Sequence, residues 1–165
     1  MSADVNEVST ATEATKRPAR RAHRRLAGLA FAALAVTGVA AACTPEVAEA
    51  GDRLNNDRSA YGRARLDFNL SLYFKAQGWA DKIAADGRLS HSVLTDNNPN
   101  GGCWRKLGEN VGYAGSLAGV QSAFMASTAH RNNILDPAYN TMGVGVTMTA
   151  DGRYYVVQEF MQYSC

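Results

Sequence analysis

Read for apolar spacing, the chain changes character four times. Residues 26–42 (LAGLAFAALAVTGVAAA) form one uncharged run, and residues 44–53 (TPEVAEAGDR) are small and polar and read as a short tether. Helical spacing then begins. Residues 54–65 (LNNDRSAYGRAR) predict a first helix capped by Asn55 or Asn56, with Gly62 costing it about 1 kcal/mol against alanine. Residues 70–87 carry the clearest stripe, Leu72, Ala76, Trp79, Ala80, Ile83 and Ala84, and end at Asp86-Gly87. Residues 88–114 show no long apolar period and contain the turn-forming run NNPNGG at 97–102. A third helix is predicted over 116–129, with Ser116 as cap and Leu117, Val120, Phe124 and Met125 facing inward. From residue 143 the period shortens. GVGVTMT, the turn Asp151-Gly152 and YYVVQEFM read as a hairpin, with Val144, Val146, Met148, Tyr155, Val157 and Phe160 as core candidates. Helices followed by a terminal hairpin imply an α+β sandwich in which helices cover a small antiparallel sheet.

The first run has a specific context. It follows the basic segment RPARRAHRR and ends in Ala40-Ala41-Ala42-Cys43, the layout of a secretory leader over residues 1–43. A retained anchor is the competing reading, since a run of this length can cross a bilayer. Cys43 sits where a bacterial lipoprotein is cleaved and acylated, and ordinary cleavage after Ala-x-Ala competes with that. The chain has three cysteines. Pairing Cys103 with Cys165 leaves Cys43 alone, which suits a lipidated or removed residue better than a free exported thiol. An exported location, secreted or held at the outer face of a bacterial membrane, follows.

Removing this leader changes the charge. Residues 1–43 hold six Lys/Arg and three Asp/Glu, whereas 44–165 hold eleven and twelve. The remaining domain, read as 54–165 after the tether, has no basic cluster of the kind a phosphate backbone requires, so nucleic acid is not expected as a partner. A monomer is expected.

Two of the three histidines, His91 and His130, lie within the domain; the other is His23. They occur in Ser90-His91-Ser92 and in Ser127-x-x-His130-Arg131-x-Asn133, with Gly108-Glu109-Asn110 between them. Imidazoles with a carboxylate bind metals or move protons. Equally, a carboxylate can accept backbone N–H groups and hold a loop. Ser127 and His130 are about one helical turn apart, but no nucleophile elbow surrounds Ser127.

In order and spacing these motifs resemble the CAP superfamily, or SCP domain, of cysteine-rich secretory proteins, antigen 5 and group 1 pathogenesis-related proteins. The matching residues are Leu54-Asn55 with Arg58, Leu66, Leu89-Ser90-His91-Ser92, Gly108-Glu109-Asn110-Val111, and Phe124-x-x-Ser127-x-x-His130-Arg131-x-Asn133-Ile134-Leu135. Gly143-Val144-Gly145 and Val157-Gln158-x-Phe160 complete the set. The pattern is similar to the short bacterial branch and covers residues 54–163. The resemblance implies an α-β-α sandwich with a cleft that holds His91, Glu109 and His130. Ser127 stands where many animal and plant members carry a second glutamate.

The resulting expectation is a binding domain rather than an enzyme. His91, Glu109 and His130 form the cleft, supported by Ser127, Asn110 and Asn133, and recognise a lipid, a peptide or a cell-wall fragment. No catalytic residue is assigned and no cofactor is required. One alternative is a zinc hydrolase using His91, His130 and Glu109 as ligands. Another is a structural envelope protein in which the same groups only brace loops.

Overall fold

A computed structural model describes residues 44–95 and 99–165. The leader, Cys43 included, lies outside the described residues.

Helix α1 spans Pro45–Ala60. The segment read as a tether therefore forms its first turns, and the reason is local. The Thr44 side chain accepts the Val47 N–H at 3.4 Å, proline occupies the first turn, and Glu46 offsets the positive end of the helix. Its buried stripe, Val47, Ala50, Gly51, Leu54, Asn55 and Arg58, has only two large apolar residues among small and polar ones, so apolar periodicity does not register it. Asn55 is not a cap. It lies inside the helix and exchanges two hydrogen bonds with the Leu66 backbone, at 2.8 and 3.1 Å. Arg58 is buried and donates to the carbonyls of Ala64, Ile134 and Asp136 at 2.6–3.0 Å. It thereby ties the end of α1 to a distant helix end.

Strand β1 (Asp67–Phe68) leads into α2 (Leu70–Asp86). Asn69 caps α2 through the Leu72 N–H at 3.0 Å, and Gly87 closes it in the left-handed region at φ 62°. A 3-10 turn at Pro99–Gly102 precedes β2 (Trp104–Ala114). This strand lies in the stretch read as irregular. Both its faces are covered along 108–111, so polar and apolar residues do not alternate there.

The third predicted helix is two. Ser116 caps α3 (Leu117–Ala126), and Ser127 adopts an extended conformation before α4 (Thr128–Leu135). The Ser127 N–H closes α3 and its carbonyl accepts the Arg131 N–H of α4 at 2.9 Å. Strands β3 (Thr141–Met148) and β4 (Tyr154–Tyr163) form the expected hairpin.

The sheet runs β1-β3-β4-β2, with β1 parallel to β3 and the other pairs antiparallel. Register sorts the side chains. Glu109, Val111 and Tyr113 oppose Glu159, Val157 and Tyr155, and Gly143 and Gly145 complete that face. Helix α2 covers it, packing Ala76, Ala80 and Ile83 onto Val111, Tyr155 and Val157. The other face carries Asn110, Gln158, Val156, Phe160, Met142 and Val144, and packs with Leu54, Val120, Phe124 and Ile134 of the remaining helices. This is an α-β-α sandwich, and burial on both faces is why one-sided parity does not assign β4. Of the hairpin core candidates, Met148 is exposed. Cys103 and Cys165 are disulfide-bonded, closing β2 against β4 at one end.

The approach of α2 to β3 requires glycine. A Cβ at Gly143 would lie 2.2 Å from the Leu72 carbonyl carbon, and one at Gly145 would lie 2.3 Å from that of Ala76. Gly145→Ala is expected to destabilise the domain by about 1–3 kcal/mol or more, as overpacking does. Gly78→Ala, on the same helix with open space around it, is expected to stabilise by about 1 kcal/mol. Urea unfolding of the two variants checks both signs.

Candidate functional site

Glu109 is the centre of the site. Its position on β2 directs the side chain to the α2 face, where it is 1% exposed. The Ser92 backbone N–H donates to both carboxylate oxygens, at 3.0 and 3.3 Å, and His91 Nδ1 lies 2.6 Å from Oε1. His91 itself is 63% exposed. Whenever the His91 ring is neutral, a carboxylate on Nδ1 keeps the proton on that nitrogen and leaves Nε2 as the acceptor for a ligand. The segment is held from behind as well, because Trp79 Nε1 donates to the Ser90 carbonyl at 2.8 Å. Trp79 thus packs on the second core and positions the site at the same time.

Two residues not singled out from sequence complete this side. Glu159 opposes Glu109 directly across β2 and β4. Lys75 of α2 forms a buried ion pair with Glu159 and donates to Ser92 Oγ at 2.5 Å. Ser92 Oγ in turn donates to Glu159 Oε1 at 3.3 Å. Ser92 therefore binds both carboxylates, Glu109 through its amide and Glu159 through its hydroxyl. Burial, opposed by Lys75 and reinforced by the Glu109 carboxylate, pushes Glu159 up to about 7. A lysine inside a helix reads as a solvated charge, and Glu159 sits in the apolar run YYVVQEFM. Only the adjacency of α2 and β4 reveals the pair.

The other face of the sheet presents a second polar network. Asn110 Nδ2 donates to the His130 carbonyl at 3.2 Å and to Gln158 Oε1 at 3.1 Å. Gln158 continues to Gln121 at 2.8 Å, and Gln121 to Asp57 at 2.7 Å. Asn133 Nδ2 donates to Asn110 Oδ1 and to the Glu109 carbonyl. The Tyr139 hydroxyl donates to the Leu107 carbonyl at 3.1 Å. Gly108 gives these groups room, since a Cβ there would meet the Tyr139 oxygen at 2.4 Å.

β2 is the last strand of the sheet, so the two networks meet at its edge. There a cleft of about 410 Å³ is lined by His91, Ser92, Leu94, Leu107, Gly108, Glu109 and Asn133. Among the described residues, none of those lining it is aromatic. Asn110 is buried behind the cleft. His130 belongs to α4, with its ring 5.0 Å from that of Phe124 and its Nδ1 buried without a partner. Burial first, and then the His91 imidazole, hold the His130 ring below the ordinary histidine range. Ser127 serves the α3–α4 junction and is not among the lining residues.

Glu109 already carries His91 and Ser92, and His130 on α4 lies near enough to His91 for the two rings to interact electrostatically. Among the described residues, no three His, Cys, Asp or Glu side chains converge in a way that could hold an ion.

The profile of the CAP family, described as the cysteine-rich secretory protein family, matches residues 52–160. The chain belongs to the CAP family. Solved structures agree on the fold. An outer surface protein of Borrelia burgdorferi has a TM-score of 0.62 and 14% identity, over 72% of this chain and 93% of that one. An extracellular SCP-domain protein of Bacillus anthracis gives 0.60 at 22% identity, over 71% of this chain and 40% of its own. A cysteine-rich secretory protein of Staphylococcus aureus gives 0.57 at 22%, over 71% and 38%. The chain therefore spans less than half the length of the last two. No curated protein sequence matches it.

The pH dependence of this CAP domain follows from its buried groups. Glu159 is raised from about 4.5 in the unfolded chain to about 7, so the folded state holds the extra proton. Its contribution to stability is full below about 4.5 and is lost as pH rises through about 7. His130 acts in the opposite sense, because its lowered value makes stability rise with pH up to its unfolded 6.5. Carboxyl ¹³C NMR separates the two and is expected to show Glu159 titrating near 7, and lower in Glu109→Gln. Lys75→Met is expected to cost about 3–5 kcal/mol at pH 8, where it strands a buried carboxylate, and less at pH 5.

Proposed function

We propose that this chain is an exported CAP domain of the short bacterial type that binds a polar envelope ligand, a peptide or a peptide-bearing cell-wall fragment, and does not turn it over. Export rests on the leader at 1–43, and Cys43 is its acylated end at the outer face of the membrane. The ligand class rests on one observation. His91 stands exposed at the mouth of the cleft with Nδ1 held by a buried carboxylate, so that Nε2 is presented in a fixed tautomer.

The lining favours an amide- or hydroxyl-rich ligand over an acyl chain. His91, Ser92, Glu109 and Asn133 provide polar groups, and Leu94 and Leu107 provide a small apolar floor. Asn133 has both side-chain N–H bonds directed at β2 and its Oδ1 beside Gly108, so its oxygen supplies a second acceptor at the cleft. Two acceptors across a short cleft suit peptide N–H or sugar hydroxyl donors. The Glu109 carboxylate is occupied by its own chain, which supports positioning rather than proton transfer to a substrate.

Binding of purified muropeptides, free peptides and lipid vesicles to the exported protein tests this. Muropeptide or peptide is expected to shift the NMR signals of His91, Ser92 and Asn133. His91→Ala is expected to weaken binding at least tenfold while the domain still folds, with a melting temperature lowered by the lost hydrogen bond to the buried Glu109. Equal binding by His91→Ala, or the appearance of cleavage products, overturns the reading.

A further inference from the structure

A second surface carries its own signal. Phe68, Leu70 and Phe74 are 49%, 52% and 61% exposed, and they are neighbours. Leu70 and Phe74 are one turn apart on α2 and share a face. The Tyr73 ring, itself buried, lies 5.8 Å from the Phe68 ring and 5.2 Å from the Phe74 ring, joining them into one apolar surface. Single exposed apolar residues are ordinary, but a contiguous set marks a contact site.

The position of this surface identifies what meets it. Phe68 also lines a groove of about 380 Å³ with Val47, Ala48 and Met142. Val47 and Ala48 are in the first turn of α1, which starts at Pro45. Cys43 and the apolar run 26–42 immediately precede that turn in sequence. The aromatic surface and the point where the leader joins the domain are therefore on the same side. If Cys43 is acylated or the run is retained, the bilayer begins within a few residues of this surface.

We infer that Phe68, Leu70 and Phe74 form a membrane-contact face that dips into the lipid interface beside the anchor. This rests on the export reading above but not on the cleft. The chemistry fits, because exposed aromatic and leucine side chains enter the boundary between headgroups and acyl chains. A single weak attachment is reversible, and a second one makes it stable. The charges on the groove wall are mixed, with Arg65 paired to Asp52 and Asp67 nearby. Contact is thus expected with zwitterionic as well as anionic lipid, with little dependence on salt.

The test uses the full chain expressed with its leader in a bacterial host, then extracted and reconstituted in phosphatidylcholine vesicles that contain brominated lipid. Phe74→Trp reports on the face. Met148→Trp is the control, exposed at the far end of β3 from the groove residue Met142. After subtraction of wild-type fluorescence, bromine is expected to quench the tryptophan at 74 at least twofold and leave that at 148 unchanged. Equal quenching at both positions, or none at 74, overturns the contact face. Intact mass of the N-terminus is read on the same sample. An acylated N-terminus with no quenching at 74 removes the face and leaves export standing. A product that has lost residues 26–42 without acylation, yet is quenched at 74, keeps the face and removes the anchor.

Discussion

The fold rests on the seam between α2 and β3, where the helix lies almost against the strand backbone. Gly143 and Gly145 permit this because any Cβ would occupy the space of Leu72 and Ala76 main-chain atoms. Everything on that face depends on the resulting closeness. Ala76 and Ala80 become fully buried, Ile83 reaches Val157, and Lys75 enters the sheet far enough to meet Glu159. A helix held a side chain further away would leave Glu159 as a buried carboxylate without its cation, which is far more costly than the pair.

That ion pair and the cleft form a single mechanical unit. Lys75, Glu159, Ser92 and Glu109 are linked in a short chain of hydrogen bonds that ends at an exposed imidazole. On the other face Asn110, Gln158 and Gln121 are equally buried and equally paired. Networks of this kind are stabilising only when every member is satisfied, and satisfied ones fix a unique geometry. Two carbonyls of the terminal strand, those of Leu107 and Glu109, are taken by Tyr139 and Asn133. The side chains that shape the cleft thereby also cap a strand edge that would otherwise be open to pairing.

Different parts of this design are legible to different degrees in the sequence. Helix α2 and the β3–β4 hairpin are readable because each has a clean period and a glycine-marked end. The motif order leads to His91, Glu109 and Asn133, which do line one cleft. Helix α1 reads too short because its inner face is mostly alanine, glycine, asparagine and arginine, and its start is written in Thr44-Pro45 rather than in hydrophobicity. Strand β2 is hidden by its glycines, which face bulky partners instead of alternating with them. Lys75 and Glu159 are invisible for another reason. Each is ordinary in its own element, and only the crossing of α2 over the sheet makes them a pair. His130, which the same motif order singles out, packs its ring on Phe124 and interacts electrostatically with His91.

The disulfide has a consequence for resistance to proteolysis. Cys103 and Cys165 enclose β2, both short helices, β3 and β4 in one covalent ring, and among the described elements α1, β1, α2 and the 3-10 turn at Pro99–Gly102 lie outside it. A protease that nicks an exposed turn within the ring, such as the one around Gly152, severs the chain without releasing a fragment. The cut ends stay attached to the sheet at their far sides, so the core can remain assembled. The vulnerable points are then the turns around Gly62 and Gly87, where a single cut frees α1 or the α1–α2 segment from covalent attachment.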